Sequence, residues 1–300
     1  MLPPRKESVY STANHLFYKL RSYFTLLIFI CLEFCVQPSW GQTSEELYPS
    51  DSLFHHLVFF DEFDNEGHPD PNKWHHQILP PKDGSWFNDE LQHYTDRLIN
   101  SGVTNGKLTI RALKEDYEVE GSKKSYTSAR LNAKFAFTYG KVEVRAKLPK
   151  DAGTWPAIWT LGANVNERGN YFGNRFGSVG WAKCGEIDIL EQTGWDKEHT
   201  ISHFHWDDLI TKVYHEEGST HTLSTSDDGF HVFSMEWTQD RIRTFVDGNL
   251  VYELENSDNK PFNHHHYLIL NLAMGGNLGG KVPSSLSQAD FVIDYVRIYQ

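Results

Sequence analysis

The stretch GKVEVRAKL (140–148) alternates apolar and charged residues without a break. Val142, Val144 and Ala146 fall on one side of an extended chain, and Lys141, Glu143, Arg145 and Lys147 on the other. Side chains of a strand alternate between faces, so this period of two specifies a strand with one buried and one solvated face. Similar short runs recur on both sides of it: HHLVFFDEF (55–63), GKLTIRAL (106–113), GFHVFSMEWT (229–238), RIRTFVDG (241–248), YLILNLAMG (267–275) and FVIDYVRIYQ (291–300). Asp247-Gly248 is a hairpin signal. No long helical period and no internal repeat interrupts the pattern, which predicts an all-β sandwich. No Pro- or Ser-rich linker follows Gln42, so residues 42–300 are expected to form one domain. The segment 162–181 is too irregular for a strand and too long for a turn. Loops of this length in compact domains usually serve function, so it is expected to border a cleft.

The first 41 residues read differently. Arg5, Lys6, Lys19 and Arg21 precede the apolar run FTLLIFICLEFCV (24–36), and Ser39-Trp40-Gly41 offers a small-residue cleavage point. This is the layout of an export signal, although Glu33 interrupts the run. The run falls short of the roughly 20 apolar residues that span a bilayer. The expectation is therefore a signal peptide over 1–41, no stable membrane span, and a secreted, periplasmic or cell-surface product. Removing this segment takes away four basic and two acidic residues and moves the net charge from −12 to −14. Such a chain repels nucleic acid and sulfated polymers, and a neutral polymer fits it better. Cys184 is the one cysteine left, so no internal disulfide forms, and the residue reads as a packed small hydrophobe.

GEIDILE (185–191) places Glu186, Asp188 and Glu191 inside a β-prone apolar run. Glu186 and Asp188 share a face. Glu191 is an odd step away, so a regular strand would turn it to the other side. A β-bulge at Ile189-Leu190 would return it to the face of the other two. The bland reading, a strand with a solvated edge, leaves two like charges side by side in residues of poor β propensity. The functional reading is glycosidic hydrolysis with retention, which needs an ionised carboxylate and a protonated carboxyl roughly 5–5.5 Å apart. In WPAIW (155–159), Trp155, Ala157 and Trp159 also share a face. Two such indoles serve either as core or as a platform for sugar rings.

These motifs together resemble glycoside hydrolase family 16. GEIDILE is similar to the family's longer E-x-D-x-x-E signature, found in laminarinases and related endo-β-1,3-glucanases, and less to the shorter E-x-D-x-E form of lichenases. The resemblance extends through FFDEFD (59–64), DPNKW (70–74), NDELQHYT (88–95), TSARL (127–131), GTWPAIWTLG (153–162), LILNLAMGG (268–276) and DYVRIYQ (294–300). It implies a β-jelly-roll sandwich with a concave substrate cleft. It also implies Glu186 as nucleophile, Asp188 as assisting carboxylate and Glu191 as acid/base, with no cofactor for catalysis. Trp155 and Trp159 match cleft tryptophans, Asn88 and Arg130 match residues that hold sugar hydroxyls, and His205 matches a histidine near the acid. Trp195 is placed beside the cleft. A structural Ca²⁺ is implied at Glu62, Asp294 and a carbonyl near Gly106, oxygen ligands of the kind Ca²⁺ takes.

One departure stands out. Many relatives carry a tryptophan in the loop that here reads GGNLGG (275–280), where Leu278 stands. The expected activity is exported, retaining endo-hydrolysis of laminarin-like β-1,3-glucan by a monomer. The rivals are the same chemistry on mixed-linkage β-1,3-1,4-glucan or agarose, and a sugar-binding module without catalysis. The clusters His264-His265-His266 and Gly121–Lys124 read as solvated loops.

Overall fold

The structure is a computed structural model that describes residues 53–224, 226 and 229–300. The expected signal peptide lies outside the described residues. In chain order the strands are β1 Leu57–Asp61, β2 Trp74–His76, β3 Gln92–Tyr94, β4 Ser101–Thr104, β5 Lys107–Val119, β6 Ser122–Ser128, β7 Arg130–Phe137, β8 Gly140–Lys147 and β9 Thr154–Gly162. They continue with β10 Glu186–Glu191, β11 His199–Asp207, β12 Tyr214–Thr222, β13 His231–Trp237, β14 Arg241–Val246, β15 Asn249–Glu255, β16 His266–Met274 and β17 Gln288–Tyr299. A single helical turn, α1, spans Gly276–Gly279. Among the described residues no helix is long and apolar enough to cross a membrane.

The strands form two sheets, a jelly-roll sandwich as expected. One runs β15-β14-β13-β8-β17-β5-β6-β3, with β1 on β17 and β4 on β5. The other runs β12-β11-β10-β9-β16-β7-β2. The alternation read in GKVEVRAKL is realised in β8, where Val142, Val144 and Ala146 are fully buried and the charged residues between them are half-buried. Between the sheets lie Ile110, Val144, Phe233, Phe291 and Ile298 from one side and Ile158, Ile187, Phe204, Leu268 and Leu270 from the other. Asp247 and Gly248 both take positive φ, 50° and 77°, which is the backbone that a two-residue hairpin between β14 and β15 demands.

Beyond Gly162, where β9 ends, the 162–181 segment forms no strand, only a bridge between Val165 and Val179. It folds over a second apolar cluster in which Val165 and Phe172 pack with Leu161, Cys184, Tyr267 and Ile269. Cys184 is buried there, as expected, and burial pushes its thiol upward. Of the histidine cluster, His265 is exposed and His264 half-buried in the loop before β16, but His266 departs from the expectation of a solvated loop. His266 opens β16 and is fully buried, its ring 5.0 Å from that of Trp237 and its Nδ1 3.1 Å from Thr160 Oγ1. Gly121–Lys124 also differs: Ser122 starts β6, and Lys124 donates to the Glu90 carbonyl at 2.7 Å.

Candidate active site

The bulge expected at Ile189-Leu190 is present. Against β9, Asp188 pairs with Trp159 and Leu190 with Ile158, so one residue of β10 is extra. Against β11, Asp188 pairs with His203 and Glu191 with Ile201, the same surplus. Ile189 and Leu190 are both buried in the core. Two consecutive apolar side chains thus turn inward, and Glu191 returns to the outer face. Gly185 precedes them with φ 74°, and a Cβ there would meet the Pro261 carbonyl at 2.9 Å. The strand enters through a turn that glycine alone makes without strain.

The outer face of β7, β9, β10 and β16 floors a cavity of about 390 Å³. Glu186, Asp188 and Glu191 line it, with Trp155, Ala157, Trp159, Arg130 and Asn271. Each catalytic candidate has a different environment. Trp181 Nε1 donates to Glu186 Oε2 at 2.9 Å, and Trp155 Nε1 donates to Glu191 Oε1 at 2.8 Å. Asp188 is 4% exposed, and its Oδ2 has no hydrogen-bond partner. Burial raises the pKa of all three, since the charged form loses water. The two indoles draw Glu186 and Glu191 back down. The remaining neighbours do not single out Glu186 as the ionised one: Arg130 favours its charge but Glu191 and Glu167 oppose it, leaving it at about 8, and Glu90 opposes ionisation of Glu191, leaving it at about 7. Because Glu191 opposes Glu186, the site favours one charge and one proton between them. Retaining hydrolysis needs one charge and one proton across such a pair, and in the ligand-free site the proton rests at least as readily on Glu186 as on Glu191.

A family model described as Glycosyl hydrolases family 16 matches residues 93–297. The chain belongs to that family. It is 39% identical over 263 residues to a beta-glucanase of Rhodothermus marinus, covering 81% of this chain and 85% of the relative. LamAcat from Zobellia galactanivorans, a crystal structure, is 62% identical with a TM-score of 0.81 over 82% of this chain and 98% of that one. A variant of LamA from the same organism, solved with laminaritriose and laminaritetraose, is 61% identical with a TM-score of 0.82 over 83% and 100%. The protein is therefore a glycoside hydrolase, and its cofactor-free family chemistry agrees with a site built of carboxylates.

The family 16 frame sorts the other candidates. Asn88 lines the cavity with a left-handed backbone, φ 59°, and its carbonyl accepts from the Asn277 amide. Trp159 lines the floor, its Nε1 donating to Asn271 Oδ1 at 2.7 Å. Arg130 lies 5.1 Å from the Trp159 ring and forms a two-point ion pair with Glu167, at 2.9 and 2.7 Å. Trp195 is 64% exposed, and a Cβ added to Gly280 would come within 3.0 Å of its ring, so it stands beside the 275–280 loop. His205 lies behind Asp188: its Nε2 is 3.5 Å from Asp188 Oδ2.

Several cavity residues escaped the reading of the sequence. Glu90 accepts from Gln92 at 2.5 Å and Tyr94 at 3.1 Å, and burial raises its carboxyl to about 7. Its signal was the second acidic residue of NDELQHYT. Glu167 and Trp181 come from the 162–181 loop, where no period marks which side chains turn inward.

The resemblance also implied Ca²⁺. The Glu62 carboxylate is taken by Arg297, at 2.7 and 2.9 Å. Asp294 Oδ2 is taken by Arg145 at 2.6 Å. Asp294 Oδ1 is met only distantly by Lys107, at 3.7 Å, whose ammonium also lies 3.4 Å from the Asn105 carbonyl. The donor set fits Ca²⁺ in part: one carboxylate oxygen and main-chain carbonyls near Gly106 suit a hard cation, and the Glu62 side chain does not.

Proposed function

We propose that this glycoside hydrolase is an exported endo-β-1,3-glucanase acting with retention on laminarin-like glucans. The observation that carries the chemistry is the bulged β10, which sets Glu186, Asp188 and Glu191 on one wall of the cavity. Support for the substrate comes from the likeness to LamA, solved with laminari-oligosaccharides. Glu186 attacks the anomeric carbon while Glu191 gives its proton to the departing glycosidic oxygen. Glu191, now ionised, takes a proton from water, whose oxygen attacks the glycosyl–enzyme and releases Glu186. Trp159, Asn88 and Arg130 hold the sugars, and Trp195 adds an aromatic surface beside the loop that carries Leu278.

The deciding experiment compares release of reducing ends from laminarin, barley mixed-linkage glucan and agarose, with Glu186→Gln as control. Activity greatest on laminarin and lost in the variant is expected. Preference for another polymer overturns the substrate, and full activity in the variant overturns the mechanism.

Export rests on the basic and apolar segment before Gln42, and its test is the N-terminal residue of protein recovered outside the cytoplasm. A structural Ca²⁺ held by Asp294 and a carbonyl near Gly106, with Glu62 joining only if its carboxylate leaves Arg297, would brace β17. Chelation should then lower Tm, and an unchanged Tm removes the ion. A monomer is expected by size-exclusion chromatography with light scattering.

A further inference from the structure

Behind Asp188 the sheet carries a chain of polar groups that hydrolysis does not use. Tyr214 OH donates to Glu216 Oε2 at 2.7 Å, and the exposed Glu216 carboxylate is acceptor only. The one hydroxyl proton is thereby spent. His205 Nδ1, 2.6 Å from the same hydroxyl, must be the donor of that bond. The ring proton thus sits on Nδ1, and Nε2 keeps a lone pair. Asp188 Oδ2, the buried oxygen without a hydrogen-bond partner, lies 3.5 Å from that nitrogen. His203 Nδ1, 3.1 Å from His205 Nε2, donates to that lone pair, so a cation bound there takes the place of the His203 proton.

Ligand atoms of Glu186, Asp188 and His205 all lie within 4.8 Å of one another. Tetrahedral zinc, with bonds of about 2.0–2.1 Å, spaces neighbouring ligand atoms roughly 3.3 Å apart. The 3.5 Å between His205 Nε2 and Asp188 Oδ2 is already close to that spacing, and binding would draw in the Glu186 carboxylate and exchange the His203 bond for the ion. Metal-binding histidines donate their other ring N–H to an acceptor that fixes the tautomer, and Tyr214 with Glu216 is such an arrangement already in place.

We propose that His205 Nε2, Asp188 and Glu186 form an inhibitory site for a zinc-class divalent ion. Bound there, the ion ties up the carboxylate that attacks the sugar and the one that assists it. Hydrolysis stops until the ion is removed. The blocking of hydrolysis rests on the reading of Glu186 as nucleophile, whereas binding of the ion does not.

The test is calorimetric titration of Zn²⁺ into the purified protein, with Co²⁺ absorption as a second probe and laminarin hydrolysis as the third. Expected are one tight equivalent, a tetrahedral Co²⁺ spectrum, at least tenfold loss of rate at saturation, and recovery with EDTA. Tyr214→Phe, which leaves the three ligands intact but frees the His205 tautomer, should weaken Zn²⁺ about 10- to 100-fold. Binding unchanged in Tyr214→Phe would place the ion at another histidine cluster and overturn the site. Tight Zn²⁺ binding with hydrolysis unaffected would overturn the inhibition. Residual activity of metal-free Glu186→Gln would instead overturn the nucleophile.

Discussion

Trp155 Nε1 donates a 2.8 Å hydrogen bond to Glu191 Oε1, across a pair of strands held in register by the bulge in β10. The bond favours the charged form of a group that must carry a proton to act as acid. Burial raises Glu191 and this bond opposes the rise. Removing the donor in Trp155→Phe should therefore raise the pKa further. The alkaline limb of kcat/KM should move to higher pH, whatever happens to the plateau. A limb that stays or moves down would show that Trp155 does not govern the acid.

Glu186 illustrates the cost of the site to the fold. Its pKa is raised in the native state, so the unfolded chain gives up that proton first as pH rises. Native stability accordingly falls once the pH exceeds an ordinary glutamate pKa, about 4.3, and the loss approaches about 1.4 kcal/mol per pH unit until the native carboxyl itself ionises. Glu186→Gln escapes this penalty. The variant should be inactive yet melt a few degrees higher at neutral pH, with the advantage gone near pH 4. Equal Tm values at both pH values would show that the carboxyl is not strained by burial.

The Arg130–Glu167 pair ties the 162–181 loop to the floor of the cavity, with side chains only 6% and 7% exposed. Glu167→Ala leaves a buried guanidinium unpaired, which typically costs about 3–5 kcal/mol. Denaturant unfolding should show that loss, and KM for laminarin should rise because Arg130 and Trp159 no longer hold one another. A loss below about 1 kcal/mol would mean that water reaches Arg130 freely.

Trp195 offers a different readout. Its exposed ring stands by Gly280, outside the residues that line the cavity with Glu186 and Glu191. If it stacks on a sugar, Trp195→Ala should raise KM about 2- to 10-fold and leave kcat unchanged. An unchanged KM would take this ring out of the substrate path.

The regular strands were legible because their information is local. GKVEVRAKL and WPAIW each show a period of two, and β8 and β9 place those residues as read. The bulge was legible too, since the odd spacing from Glu186 to Glu191 has one economical solution. What stayed hidden depends on contacts distant in sequence. His266 looked like part of a solvated run, yet Trp237 and Phe262 enclose it. Glu167 carries no sign that its partner is Arg130, 37 residues away. Glu62 could be matched to a family motif, but its commitment to Arg297, 235 residues on, has no trace in either segment.

The bulge has one more consequence, for how this chain can change. Ile189 and Leu190 are anchored in the interior, while the acids they position work on the opposite side of the same backbone. A methyl group gained or lost at Ile189 would therefore be felt twice, once as packing and once as a displaced proton donor. Drift that other core positions absorb silently would here surface as altered turnover, so purifying selection on catalysis reaches through the sheet into residues no sugar ever meets.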